Sequence, residues 1–243
     1  MFEKSNNPMF NEDRIKTQAR TISYTGNDYM TKEGTINKAT LLFGIMLMTS
    51  LFSYTKPSYM LILGGILGGA VLFSAILYKP MYAHFIAPLF AAFEGLAVGG
   101  LTAVYGGYQG FLVFKAILIT VSILLVMLIV YRTGIIKVTQ KFKSTVIAAT
   151  AAIMLIYFVS IILGFFGISI PLLHTGSPLS MVISVGILVI ASLNFLLNFD
   201  MIDQADKMNL PKSYEWYAGA SLLFTLIWVY IEVLRLLAIF ARD

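Results

Sequence analysis

The fold is decided by the last apolar run of the chain, residues 217–240, which reads YAGASLLFTLIWVYIEVLRLLAIF. Its length and composition are those of a membrane-spanning α-helix, yet it carries Glu232 and Arg235 among apolar residues. One charged side chain at the centre of a spanning helix costs roughly 2.5 to 3.5 kcal/mol on insertion scales. We therefore expect other helices to shelter this one from lipid.

Glu232 and Arg235 are three positions apart, so they share one face of a helix and can form an ion pair. A buried pair of this kind can be purely structural. Ionisable groups inside membrane helices, however, usually mark a functional site. The sequence leaves both interpretations open.

The composition of the whole chain indicates an integral membrane protein. Of its 243 residues, 58% are hydrophobic and only 12% are charged, whereas soluble domains carry about 25% charged residues. The length allows about seven spans of roughly 20 residues and leaves no room for a separate soluble domain. We attribute the net charge of +5 to membrane topology rather than to nucleic-acid binding, and the absence of cysteine excludes disulfides and thiolate chemistry.

Residues 1–38 are polar, so we expect a mobile cytoplasmic tail, followed by one membrane domain over residues 39–243. Seven apolar runs fill this domain, and none alternates in polarity as a barrel strand would. They are 39–54, 59–78, 81–105, 111–131, 146–166, 179–199 and 217–240. The predicted fold is therefore all-α, with seven transmembrane helices.

The distribution of Lys and Arg predicts the orientation. Thirteen lie on one side: the six of residues 1–38, then Lys79, Arg132, Lys137, Lys141, Lys143, Lys207 and Lys212. Three lie on the other side: Lys56, Lys115 and Arg242. Because cytoplasmic loops carry the excess of positive charge, we expect a cytoplasmic N-terminus and an external C-terminus in the cytoplasmic membrane.

Glycines occur at helix-packing spacing in two of the apolar runs. They are Gly64, Gly65, Gly68 and Gly69 in the second run, and Gly95 and Gly99 in the third. Small residues four positions apart let helix backbones approach closely. Tight packing is the favoured interpretation, and a flexible hinge is the alternative.

Few ionisable residues interrupt the apolar runs: Glu94, Glu232 and Arg235 lie within them, Asp200 lies at the end of the sixth, and His84 and Lys115 lie near run ends. Three carboxyls and one guanidinium in a protein interior favour cation or proton traffic. Burial and the charge of Arg235 act on such carboxyls in opposite directions, so the sequence leaves their protonation open. Alternatively, Asp200 is an interfacial helix-end residue and Glu94 binds a hydroxyl of a neighbouring helix.

The sequence predicts a protein that is not an enzyme and has no cofactor. It contains no phosphate-binding glycine loop and no HExxH pair, and its two histidines, His84 and His174, are expected at interfaces. Calcium prefers six to eight oxygen ligands, and no EF-hand loop is present. We therefore assign no metal site, although calcium remains a candidate permeant ion.

Several stretches of the chain form a recognisable set: MTKEGTINK at 30–38, FEGLAVGG at 93–100, NFDMID at 198–203, PKSYEWYA at 211–218 and YIEVLRLL at 230–237. Together they resemble the Bax inhibitor-1 family, also called the transmembrane Bax inhibitor motif family, and most closely its bacterial YccA-like branch. The resemblance implies two three-helix layers around a central C-terminal helix. It also implies a pH-sensitive calcium leak in which acids of the sixth and seventh helices form a hydrogen-bonded sensor.

Asp200 matches the sixth-helix acid of that sensor, with Asp203 as an alternative, and Glu232 matches the seventh-helix acid. The chain departs from the family pattern at three positions: Glu232 replaces Asp, Arg235 replaces Asn, and Asn198 stands where branch relatives often have an acid. We expect Arg235 to join the sensor and Asn198 to reduce cation affinity. Since Asp200 lies near the end of its run, Glu94 is the alternative partner of Glu232.

The leading hypothesis is a calcium or cation leak of the cytoplasmic membrane. Asp200, Glu232 and Arg235 would form its gate, and Glu94, Asp203 and Asn198 would line its ion pathway. One alternative is a regulator that binds a membrane protease or another partner, as the resemblance also allows. A second alternative is a proton-coupled cation transporter. None of these hypotheses involves nucleic acid.

Overall fold

The computed structural model describes residues 29–106, 110–166 and 178–241. Seven α-helices lie in this part of the chain: α1 (Lys32–Thr55), α2 (Tyr59–Tyr78), α3 (Ala83–Gly106), α4 (Gly110–Thr133), α5 (Gln140–Phe165), α6 (Pro178–Lys207) and α7 (Ser213–Phe240). Its only strand-like pairing is an isolated bridge between Tyr29 and Pro211. All seven helices are long and apolar enough to cross a membrane, which confirms the prediction of an all-α, multi-pass membrane protein.

Several helices extend beyond the apolar runs that predicted them. The first begins at Lys32, seven residues before its run, because the Thr31 side chain caps it by accepting a hydrogen bond from the Gly34 N–H at 2.9 Å. At the other end of the chain, α6 continues to Lys207. Residues 32–38 are therefore helical and do not belong to a mobile tail, while residues 1–28 lie outside the described part of the chain.

One compact unit comprises Met1–Leu101 and Asn198–Phe224. Within it, α2 packs on α3 through glycine: a Cβ at Gly65 would lie 2.6 Å from the backbone nitrogen of Ala97 and 2.7 Å from the carbonyl oxygen of Phe93. In the contact between α3 and α1, Gly95 and Gly99 of α3 likewise lie against the α1 backbone. Because backbone cannot yield to a side chain, Gly65, Gly95 and Gly99 serve tight helix packing, as predicted. For Gly64 the prediction was wrong, because nothing lies within 4 Å of a Cβ at that position.

The beginning of α1 is fastened to the beginning of α7 in the same unit. The Met30 N–H donates to the Leu210 carbonyl at 2.7 Å, and the carboxylate of buried Glu215 accepts from the Thr31 N–H and from its hydroxyl, both at 3.1 Å. In an ordinary capping box the acid would come from α1 itself, three residues after the cap. Gly34 occupies that position and leaves room for the carboxylate from α7.

The other compact unit comprises Thr102–Leu197 and Thr225–Asp243. Hydrogen bonds join its helices: the amide of Asn194 on α6 donates to the Thr150 hydroxyl of α5 at 2.9 Å. The Thr102 and Tyr230 hydroxyls, on α3 and α7, are 3.0 Å apart. Such bonds hold apolar helices in register where burial alone is not selective.

The last helix is the most buried of the seven spans. In its most apolar stretch 61% of the residues are buried, against 6% for α5. This confirms that protein, rather than lipid, surrounds most of α7. The arrangement of the other helices as two three-helix layers stays a prediction.

Candidate functional site

Glu232 and Arg235 are both deeply buried on α7, with 2% and 6% of their surfaces exposed. Their spacing places them on one helix face, and the Arg235 Nη2 donates to the Glu232 Oε2 within an ion pair. The ion pair expected from the sequence is therefore present. Each charge has its opposite as a direct neighbour, which offsets part of the free energy lost when the two groups leave water.

Two further side chains form hydrogen bonds with this pair. The Tyr157 hydroxyl of α5 donates to the Glu232 Oε1, and the Arg235 Nη2 also donates to the Ser184 hydroxyl of α6 at 3.2 Å. The guanidinium carbon lies 5.9 Å from the centre of the Tyr157 ring. We call these four residues, Tyr157, Ser184, Glu232 and Arg235, the α7 charge cluster; it links three helices of one unit.

Sequence reasoning missed Tyr157 and Ser184. A signal for Tyr157 was present, because it lies in the middle of its apolar run, whereas most other tyrosines stand at run ends, where their hydroxyls reach the interface. A tyrosine hydroxyl at that depth needs a hydrogen-bond partner inside the protein. Ser184 had no comparable signal, since serine is common in membrane helices and bonds readily to its own backbone.

The α7 charge cluster can respond to protonation. In the present arrangement both carboxylate oxygens of Glu232 accept hydrogen bonds, one from Tyr157 and one from Arg235. A proton on Glu232 would remove its negative charge and leave a buried guanidinium without its counter-ion. Because an unpaired buried charge is strongly unfavourable, the cluster would have to rearrange.

The predicted residues of α6 lie in the other unit and have partners there. Asp200 accepts a hydrogen bond from the side-chain amide of Gln204 at 2.5 Å. The Asp203 carboxylate pairs with the Lys32 ammonium at 2.6 Å. Asn198 donates to the carbonyl oxygen of Ser221 at 3.4 Å. The hydrogen-bonded pairing of Asp200 with Glu232 stays a prediction.

The position of Asp200 corrects one expectation. The apolar run ends at residue 199, which suggested a residue at the helix end. The helix itself continues for seven residues beyond Asp200, to Lys207. Asp200 is therefore an intrahelical residue, because the C-terminal end of α6 is a polar stretch of helix rather than a loop.

Glu94 lies in the middle of α3 and is 9% exposed. Its carboxyl packs against Gly69 of α2. No hydroxyl of the described residues in its unit bonds to it, so the expected bond to a neighbouring hydroxyl is not found there.

The remaining polar candidates, His84 and Lys115, are exposed, and each lies near a residue three or four positions away in the sequence. The His84 Nδ1 lies 3.2 Å from the carbonyl oxygen of Met81, and the Lys115 ammonium lies 4.4 Å from the centre of the Phe111 ring. His174 lies outside the described residues. Among the residues that the structure describes, no group of three or more His, Asp or Glu side chains is arranged to hold a metal ion.

Comparison with known proteins places the chain in a family. No curated protein and no solved structure matches it. The family model described as Bax inhibitor 1 like, however, matches residues 7–242. Because this match covers nearly the whole sequence, the chain belongs to the Bax inhibitor 1 like family.

Proposed function

We propose that the protein is a cation leak of the cytoplasmic membrane, with calcium as the expected ion, and that protonation of Glu232 controls it. Membership of the Bax inhibitor 1 like family supports this proposal. The observation that carries it is the α7 charge cluster, in which one buried carboxylate connects α5 and α7 and its ion-pair partner reaches α6. A single proton can thus affect three membrane helices.

The cluster acts as a latch in this proposal. Ionised Glu232 holds the Tyr157 hydroxyl and the Arg235 guanidinium together, and the closed state depends on that charge. When Glu232 binds a proton, Arg235 loses its counter-ion and its surroundings reorganise. Conduction is therefore expected to rise as pH falls.

The acids of the other unit supply the ion pathway. Carboxylate and amide oxygens are the ligands that calcium prefers, and Asp203 and Asn198 provide them on α6. Glu94 of α3 would also line the pathway, and it supplies a carboxylate only after its proton has left. Asp200 belongs to the gate in this proposal, together with Glu232 and Arg235. Asp203 carries Lys32 as a partner, which a passing cation would have to displace.

The positive charges of the loops support a cytoplasmic N-terminus and an external C-terminus. We also assign the chain to the YccA-like branch.

A second candidate function is regulation of a membrane protease or another membrane partner. The observation in its favour is that Glu232 is already fully engaged: both of its oxygens have a partner within one unit. A satisfied ion pair of this kind can serve fold stability alone. In that case the acids would not take part in transport.

Calcium flux into dye-loaded liposomes, measured between about pH 5 and 8, separates these functions. The unaltered protein should conduct calcium more strongly as pH falls. The Glu232→Gln variant should lose most of that dependence, and Asp200→Asn should lower the flux. No flux from any variant at any pH would contradict the leak, and saturable flux coupled to proton movement would indicate a transporter.

Tyr157→Phe tests the latch, because it removes one hydroxyl and keeps the ring. We expect it to shift the pH at which flux rises. Thr150→Val is the matched control on the same helix: it removes a hydrogen bond from α5 to α6 outside the α7 charge cluster. An identical pH profile for the two variants would show that Tyr157 has no special part in gating.

A further inference from the structure

Glu94 differs from Glu232, Asp200 and Asp203 because its carboxyl has no partner among the described residues of its unit. Glu232 has an arginine and a tyrosine, Asp200 has an amide and Asp203 has a lysine. Among the described residues of its own unit, nothing forms a hydrogen bond or an ion pair with Glu94. Glu94 is nevertheless buried, with only 9% of its surface exposed, and it lies in the middle of a membrane-spanning helix.

The carboxyl lies on a surface of α2 that lacks side chains. A Cβ at Gly69 would lie 2.5 Å from the Glu94 Oε1 and 3.1 Å from its Cδ. One turn earlier, Gly65 meets the backbone of α3 at Ala97. The two helices therefore approach so closely that only hydrogen atoms of glycine separate α2 from the carboxyl.

The elements packed against this part of α3 bring no charge to Glu94. The second helix has no charged residue, and α1 has none between residues 39 and 53. In the segment of α7 that belongs to this unit the only acid is Glu215, which is bound to Thr31. In the segment of α6, Asp200 and Asp203 are bound to Gln204 and Lys32, and Asp206 and Lys207 follow near its end.

An ionised carboxylate in such a place would be a buried charge with neither a counter-ion nor a hydrogen-bond donor, which is strongly unfavourable. A neutral carboxylic acid avoids that penalty. We propose that Glu94 is a proton-binding site, separate from the Glu232–Arg235 pair, that holds its proton against the glycine surface of α2. This inference goes beyond the proposed leak and does not depend on conduction.

The site gives the protein two buried acids with different surroundings. Glu232 is stabilised as an anion by Arg235, whereas Glu94 has no group that would stabilise its anion. Release of the proton from Glu94 would place an unpaired charge between α2 and α3. Because Gly69 offers no side chain to accommodate it, the contact between the two helices would loosen.

Infrared difference spectroscopy on protein labelled with carboxyl-¹³C glutamate in lipid nanodiscs tests this directly. A protonated carboxyl gives a C=O band that an ionised one lacks. At neutral pH the band should be present in the unaltered protein, persist in Glu232→Gln and disappear in Glu94→Gln. Absence of a protonated glutamate band, or its persistence in Glu94→Gln, would overturn the proposal.

A pair of glycine variants keeps the test decisive if Glu94→Gln does not fold. Gly69→Ala adds a methyl group whose nearest neighbours are atoms of the flexible Glu94 side chain, so the carboxyl moves and its band should shift. Gly64→Ala is the matched control on the same helix, because nothing lies within 4 Å of a Cβ there. A band that is unchanged in both variants would show that the protonated glutamate is not the one beside Gly69.

Discussion

Replacement of Arg235 by leucine should strongly destabilise the protein, and a second replacement, Glu232→Leu, should restore part of the loss. Both side chains are almost completely buried, with 8% and 3% of their side-chain surfaces exposed. Removing one member of such a pair leaves an uncompensated charge and costs about 3 to 5 kcal/mol. Removing both leaves no buried charge.

The remaining loss in the double variant comes from the groups that the pair had engaged. The Tyr157 hydroxyl loses its acceptor, which costs about 1 to 3 kcal/mol for a buried polar group. Ser184 can bond to its own helix backbone instead. The double variant should thus be less stable than the unaltered protein but more stable than Arg235→Leu.

The loss caused by Arg235→Leu should also depend on pH. Without Arg235, the costly form of Glu232 is the anion, and binding of a proton relieves that cost. Acid pH favours the proton-bound form, so the destabilisation should be largest at high pH and shrink as pH falls. In the double variant there is no Glu232 to titrate, and this dependence should be absent.

Equilibrium unfolding in mixed micelles, followed by helical circular dichroism, measures these differences. Arg235→Leu, Glu232→Leu and the double variant form a double-mutant cycle with the unaltered protein, and the coupling energy of this cycle isolates the interaction of the two residues. If the two single losses simply add in the double variant, Glu232 and Arg235 are not energetically coupled. That result would also remove the basis for the latch.

Two further predictions concern the packing and the capping of the other unit. Gly65→Ala should lower the free energy of unfolding by about 1 to 3 kcal/mol, because its methyl group would meet the backbone of α3. Gly64→Ala should leave the stability equal or higher, because its methyl group would point into open space. Thermal unfolding in detergent distinguishes the two variants. Glu215→Ala removes the carboxylate that accepts hydrogen bonds from Thr31, so amide hydrogen exchange at Thr31 and in the first turn of α1 should become faster. Glu33→Ala changes an exposed side chain and should leave the exchange rate as it is. Equal stability of the two glycine variants, or equal exchange in the two acid variants, would contradict these predictions.

Much of the fold followed from the sequence because hydropathy is a local property. Apolar runs of helix length, with tyrosines at their ends, predicted seven spans, and the glycine spacing predicted close helix contacts. Helix ends were less well predicted. Membrane thickness limits the apolar run, whereas capping limits the helix, so α1 and α6 extend into polar sequence at Lys32 and Lys207.

The α7 charge cluster shows what the sequence determines about a site. Glu232 and Arg235 lie three residues apart in an apolar helix, so their pairing is a local consequence of helical periodicity. Their depth follows equally, since neither charge tolerates lipid.

Only the tertiary structure decided which other groups meet these acids. Tyr157 reaches Glu232 across 75 positions of sequence, and Ser184 reaches Arg235 across 51. Glu94 has no partner among the described residues of its unit, because α2 presents glycine at the facing position. Contacts between helices depend on how each helix is rotated about its axis. Many weak packing interactions fix that rotation together, and no single stretch of sequence specifies it.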